Sequence, residues 1–131
     1  MINFERELNE EQLAVVNNLS GNMLILAGAG SGKTRTLTYS VAKLIQSGVD
    51  PHQIMLVTFT NKAAEEMMKR VKELLGKMPP ITAGTFHSIA NRFLKRFSHK
   101  IKFPNFAILN NYKSKQINYE CIYWSFNEYD K

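Results

Sequence analysis

The sequence predicts an α/β fold, a parallel sheet flanked by helices, and two observations carry that prediction. Three short apolar runs, at residues 23–26, 54–59 and 81–85, are each followed by a stretch whose apolar residues recur at helical spacing. The first run also enters a helix through a turn made almost wholly of glycine and other small residues. Parallel strands need a crossover, and a helix is the usual one, so strand–helix units in succession point to a parallel sheet. Polar turns that follow such strands collect beyond their carboxyl ends, which predicts three of them along one edge.

Each element has its own justification. Asn9 is a good N-cap, and Gln12 three residues on completes a capping-box spacing. Leu13, Val16 and Leu19 share a helical face, which Ser20, Gly21 and Asn22 bring to an end. Met23, Leu24, Ile25 and Leu26 are expected to form a strand. The turn Ala27-Gly28-Ala29-Gly30-Ser31-Gly32-Lys33-Thr34 then opens a helix expected over residues 33–46, with Leu37, Val41, Leu44 and Ile45 on its apolar face. Gly48 and Pro51 close it.

The run at 54–59 fits a strand buried on both faces. Thr60 and Asn61 suit a turn and cap before a helix carrying Ala63, Ala64, Met67, Met68, Val71, Leu74 and Leu75. Gly76, Pro79 and Pro80 stop that helix. After the third strand, Phe86, Ile89, Ala90, Phe93, Leu94 and Phe97 make an apolar stripe, on which Phe86 reads as a core residue. The segment from Asn111 is expected to be helical, although its period is poorly defined.

Strand, glycine-rich turn and Gly-Lys-Thr at a helix start form the pattern of a phosphate-binding loop. Glycines let successive backbone N–H groups curl toward phosphate oxygens, and the helix N-terminus adds partial positive charge. Lys33 would reach the β- and γ-phosphates, and the Thr34 hydroxyl would ligate Mg²⁺. The leading glycine of the strict pattern is Ala27, small enough to leave the turn intact. Residues 27–34 therefore predict binding of a nucleoside triphosphate with Mg²⁺.

Charge suggests a second ligand. The net charge is +6, and residues 1–73 cancel to zero. Residues 74–119 hold Lys77, Arg92, Lys95, Arg96, Lys100, Lys102, Lys113 and Lys115 with no acid, a distribution that fits nucleic acid as well as a solvated basic face. The single cysteine, Cys121, excludes an intrachain disulfide and reads as a small buried hydrophobe. With neither a signal-peptide core at the N-terminus nor an apolar run of membrane length, a cytoplasmic location and no membrane partner are expected.

Four stretches in order resemble the UvrD/Rep-like DNA helicases of superfamily 1. Leu8-Asn9-Glu10-Glu11-Gln12 is similar to the family's adenine-reading Q motif, and residues 27–34 match its motif I, leading alanine included. Residues 58–67, Thr-Phe-Thr-Asn-Lys-Ala-Ala-Glu-Glu-Met, resemble motif Ia, and Gly84-Thr85-Phe86-His87-Ser88 resembles motif Ib. The resemblance implies the amino-terminal part of a RecA-like motor domain at residues 1–100 and the start of an inserted helical subdomain at 101–131. It implies that Gln12 reads adenine, alone or while capping its helix, and that Arg35 stacks on the base. Lys33 and Thr34 would serve catalysis, and Phe59, Thr60, Asn61, Lys62, Thr85 and His87 would line a track for single-stranded DNA. Asn61 suits a helix cap equally well.

The resemblance also implies motifs that this sequence does not contain. A Walker B pair needs an apolar strand ending in Asp-Glu, yet after Thr34 no acid ends an apolar run. The expected parent is a 3′–5′ ATP-dependent helicase or translocase, or a helicase–nuclease subunit, whose second motor domain lies outside these residues. A P-loop nucleotide kinase is the alternative from another class. The chain alone is expected to bind ATP weakly, to hydrolyse it negligibly and to self-associate through an uncovered strand edge.

Overall fold

In the computed structural model, residues 2–100 are described. The chain divides into two compact units, Met1–Arg92 and Phe93–Lys131. The expected helical subdomain from residue 101, with Cys121 and the lysines at 102, 113 and 115, lies outside the described residues.

The first unit is α/β, with two parallel strands and helices around them. Helices α1 (Phe4–Glu7) and α2 (Glu10–Asn17) come first, then α3 (Lys33–Gln46). Strand β1 (Met55–Thr58), α4 (Asn61–Leu75), β2 (Thr82–Thr85) and α5 (Phe86–Phe97) follow. The β1–α4–β2 segment is one crossover unit, in the register Met55↔Thr82, Leu56↔Ala83, Val57↔Gly84 and Thr58↔Thr85. Strand β1, expected to be buried on both faces, is buried on one only: Leu56 packs into the core, while Met55 and Val57 are 50% and 45% exposed because no described element covers the other face.

Local chemistry sets the helix ends. The Asn9 side chain accepts from the Gln12 N–H at 2.8 Å, and Gln12 Oε1 accepts from the Asn9 N–H at 3.3 Å, so the capping box is formed. Gly76, at φ 73°, takes the left-handed conformation that ends α4 and that a β-carbon disfavours.

Two clusters hold the unit together. Val41, Ile54, Leu56, Met67 and Val71 are buried against one another, with Leu44, Ile45 and Ala83 packed on them. Leu8, Val16 and Tyr39 form the second, joined by Phe4, Leu13 and Leu74. Leu37, expected on the inner face of α3 with Val41, is exposed, while the helix buries Thr36, Thr38 and Ser40 on its other sides. Their hydroxyls donate to carbonyls three or four residues back, which is how a helix buries them cheaply.

The first expected strand does not form. Residues 23–26 pair with nothing among the described residues, and Leu24 and Leu26 are 83% and 87% exposed. An extended apolar run gains its stability from ladder hydrogen bonds and from packing on both faces, and here it finds neither. The apolar pattern was legible; the neighbour was not supplied by these residues.

In the second unit, Phe93 and Phe97 stack with centroids 6.2 Å apart, and Arg96 and Lys100 lie 5.8 and 5.5 Å from the Phe97 ring centre.

This packing makes two contrasting predictions. Met67→Ala, which empties a buried position, costs about 2–4 kcal/mol in urea unfolding. Leu24→Asp with Leu26→Asp leaves stability within about 0.5 kcal/mol, and sedimentation shows less self-association than in the parent chain.

Candidate functional site

The glycine-rich loop is shaped by two left-handed residues, Gly30 at φ 76° and Gly32 at φ 84°. Between them Ser31 turns back, its hydroxyl donating to the Gly28 carbonyl at 2.8 Å. Gly32 then serves as the N-cap of α3 without any side-chain cap, so the first N–H groups of that helix are not covered by a capping side chain. Lys33 folds over the loop: its ammonium donates to the carbonyls of Ala27 at 2.9 Å and Gly28 at 2.5 Å. An ammonium has three protons, so one donor remains after those two bonds. Ala29 and Thr34 are exposed, Thr34 in the first turn of α3.

Gln12 is brought to the same loop. While Oε1 closes the capping box, Nε2 donates to the Ser31 carbonyl at 3.1 Å. The left-handed backbone favours glycine at position 32, and a β-carbon there would stand 2.4 Å from that nitrogen and displace the Gln12 amide.

Arg35 lies one helical turn before Tyr39. Its Nη2 donates to Glu7 Oε2 at 2.7 Å, and the Tyr39 hydroxyl donates to the same oxygen at 3.1 Å. The guanidinium carbon lies 5.5 Å from the Tyr39 ring centre. Burial pushes the Tyr39 phenol above its ordinary value near 10, and the Glu7 carboxylate pushes the same way. A cavity of about 370 Å³ opens beside this group, bounded across from Arg35 by Arg70 and Glu73 of α4.

The other candidate residues form a second cluster. The register ends β1 and β2 side by side at Thr58 and Thr85, so the two following corners share one end of the sheet. Both corners use one device. Thr60 Oγ1 accepts from the Ala63 N–H at 3.1 Å to cap α4, and Thr85 Oγ1 accepts from the Ser88 N–H at 3.2 Å at the start of α5. The cap of α4 is thus Thr60, and Asn61 is its first residue. Asn61 and Lys62 are exposed, and Phe59 is 98% exposed.

His87 is exposed too, its ring edge-on to Phe86 at 6.1 Å. Phe86, expected in the core, is 71% exposed: the packing reaches the α5 stripe only at Ile89, the one buried residue of that helix. Arg92 is a structural residue: its guanidinium donates to the Ala83 carbonyl at 2.7 Å and ties α5 to β2.

Among the described residues no hydrogen bond joins the loop cluster to the corner cluster, and no strand carries the loop to the sheet edge. Nor do they include a group of three or more His, Cys, Asp or Glu side chains able to hold a metal ion. Chemically, the loop offers backbone N–H groups, an ammonium and a hydroxyl to a polyanion, with an amide and a guanidinium beside it. Such donors fit a triphosphate, while magnesium would take the Thr34 hydroxyl together with phosphate oxygens and water.

An α/β unit whose glycine-rich loop opens a helix and carries a capping glutamine on its back defines a P-loop-type protein. The chain belongs to the UvrD/REP helicase family: residues 8–131 match its N-terminal domain. It is 42% identical to the ATP-dependent DNA helicase PcrA of Staphylococcus epidermidis over 115 residues, 86% of this chain and 16% of that protein. The Staphylococcus aureus PcrA is likewise 42% identical over 113 residues, 84% of this chain. The chain therefore spans 16% of the length of these curated relatives. No helix among the described residues is long and apolar enough to cross a membrane.

Two outcomes test this geometry. Gly32→Ala destabilises by about 1–2 kcal/mol, and by less in a Gln12→Ala background, because the added methyl then meets no amide; a double-mutant cycle in urea measures the difference. The raised Tyr39 pKa favours the protonated phenol in the folded state, so its stabilisation is complete below pH 10 and fades as pH rises through the raised value. Tyr39→Phe removes that alkaline loss, as read by melting temperature against pH.

Proposed function

We propose that this chain is the nucleotide-binding beginning of an ATP-dependent DNA helicase or translocase that moves 3′ to 5′ in the cytoplasm. The observation that carries the reading is the hydrogen bond between Gln12 Nε2 and the Ser31 carbonyl. It fastens the amide suited to an adenine edge onto the turn suited to phosphates, so one small structure can address both ends of ATP.

In this reading the N–H groups of residues 28–34 and the N-terminus of α3 hold the β- and γ-phosphates. Lys33 exchanges its bonds to the Ala27 and Gly28 carbonyls for phosphate oxygens. Thr34 offers its hydroxyl to Mg²⁺, which when bound neutralises charge on the phosphates. Arg35 stacks on the adenine.

Single-stranded DNA would lie across the two threonine corners. As caps, Thr60 and Thr85 use their oxygens to accept, which leaves each hydroxyl proton free to donate to a phosphate. Phe59 offers a ring for base stacking, and Asn61, Lys62 and His87 line the same end of the sheet. The rest of a protein of the relatives' length would supply the partner strand for residues 23–26, the Walker B carboxylates and the second motor domain. Without them the chain binds ATP but turns it over negligibly.

Calorimetry with MgATP tests the nucleotide half. Lys33→Ala abolishes binding with the thermal melt unchanged, and retained binding would overturn the reading. For the DNA half, Phe59→Ala weakens binding of an oligothymidylate by about five- to tenfold, and Lys62→Ala lowers the salt dependence of binding by about one phosphate contact.

A further inference from the structure

We infer that Glu7 and Tyr39 are positioning residues for the purine base of a bound nucleotide, acting through Arg35. The inference rests on the proposed stacking of Arg35 on that base. Neither residue lies in the loop or in the four stretches that carry the family resemblance.

A free arginine samples many rotamers, and a base that stacks on it must first freeze them. Here the guanidinium is already held on two sides. One edge meets the Glu7 carboxylate at 2.7 Å, and one face meets the Tyr39 ring, 5.5 Å from its centre. Tyr39 is itself fixed: it is only 7% exposed, packs edge-on against Phe4 at 6.0 Å, and donates its hydroxyl to the same Glu7 oxygen.

The carboxylate therefore organises both partners, and Leu8, buried next in sequence, anchors its backbone. The Arg35 side chain keeps 46% of its surface exposed. That exposed surface is room that a flat base can use. Arg70 and Glu73 line the adjoining cavity, but the carboxylate that Arg35 bonds is Glu7.

The experiment compares MgATP with magnesium tripolyphosphate, which has phosphates but no base, by calorimetry on the whole chain. Glu7→Gln weakens MgATP about three- to tenfold and leaves tripolyphosphate unchanged. In an Arg35→Ala background the same substitution has no further effect. Tyr39→Phe, which removes only the phenol hydrogen bond and keeps the buried ring, shifts MgATP in the same direction by a smaller factor. It stands in should Glu7→Gln melt early.

Equal loss of both ligands, unchanged MgATP affinity, or an undiminished effect without Arg35 would overturn the inference and leave the base-stacking reading intact. Arg35→Ala with no change in the ratio of the two affinities would overturn that reading, and this inference with it.

Discussion

An extended apolar segment must find a partner for its backbone, and that constraint governs this structure. Three runs in the chain have the composition of buried strands. Two of them find each other, because α4 returns the chain alongside β1 and sets a parallel register of four residue pairs. The third, at residues 23–26, has no neighbour among the described residues and leaves Leu24 and Leu26 in solvent. In a sheet its ladder bonds would fix the position of the glycine-rich loop. Here the loop is held by side-chain bonds instead: Gln12 to Ser31, and Lys33 to Ala27 and Gly28.

The paired strands show the converse. Once β1 and β2 are in register, Thr58 and Thr85 end abreast, and the chain turns into a helix at both places. Each helix start needs an acceptor for its uncovered N–H groups, and each time a threonine hydroxyl supplies it. The requirement that makes these corners stable also brings two capping threonines and two helix starts to one end of the sheet. On the proposed reading, the same hydroxyls that cap the helices would also face the DNA.

What the sequence revealed follows the reach of each interaction. The capping box at Asn9 and Gln12, the extent of α3, the Gly76 stop and the strand pair depend on neighbours close in sequence or on strong apolar patterning. All were legible. Leu37 and Phe86 were not, because a helical stripe says which residues share a face but not how far the packing partner extends along it. The Glu7–Arg35–Tyr39 group was also invisible, since it joins residues 28 and 32 positions apart that no motif pairs. A guanidinium one turn before a tyrosine, with a carboxylate nearby in space, has no signature in spacing. Within the basic segment, the bond from Arg92 to the Ala83 carbonyl was likewise not legible, since it joins a helix to a strand that no motif pairs.

The two halves of the candidate nucleotide site therefore rest on different supports. The base side is built by residues 2–17 against α3, where Val16 is fully buried and Leu8 and Tyr39 nearly so. None of that packing requires a sheet. The phosphate side lies between the unpaired residues 23–26 and the first turn of α3, and only its helix end is anchored by packing. A triphosphate binding there would have to order the backbone of the turn against conformational entropy, at about 1–2 kcal/mol per residue fixed. The base-side groups, already in place, carry no such cost. On the proposed reading, affinity would therefore be limited by the order of the turn, and a strand paired with residues 23–26 would raise it without touching the nucleotide.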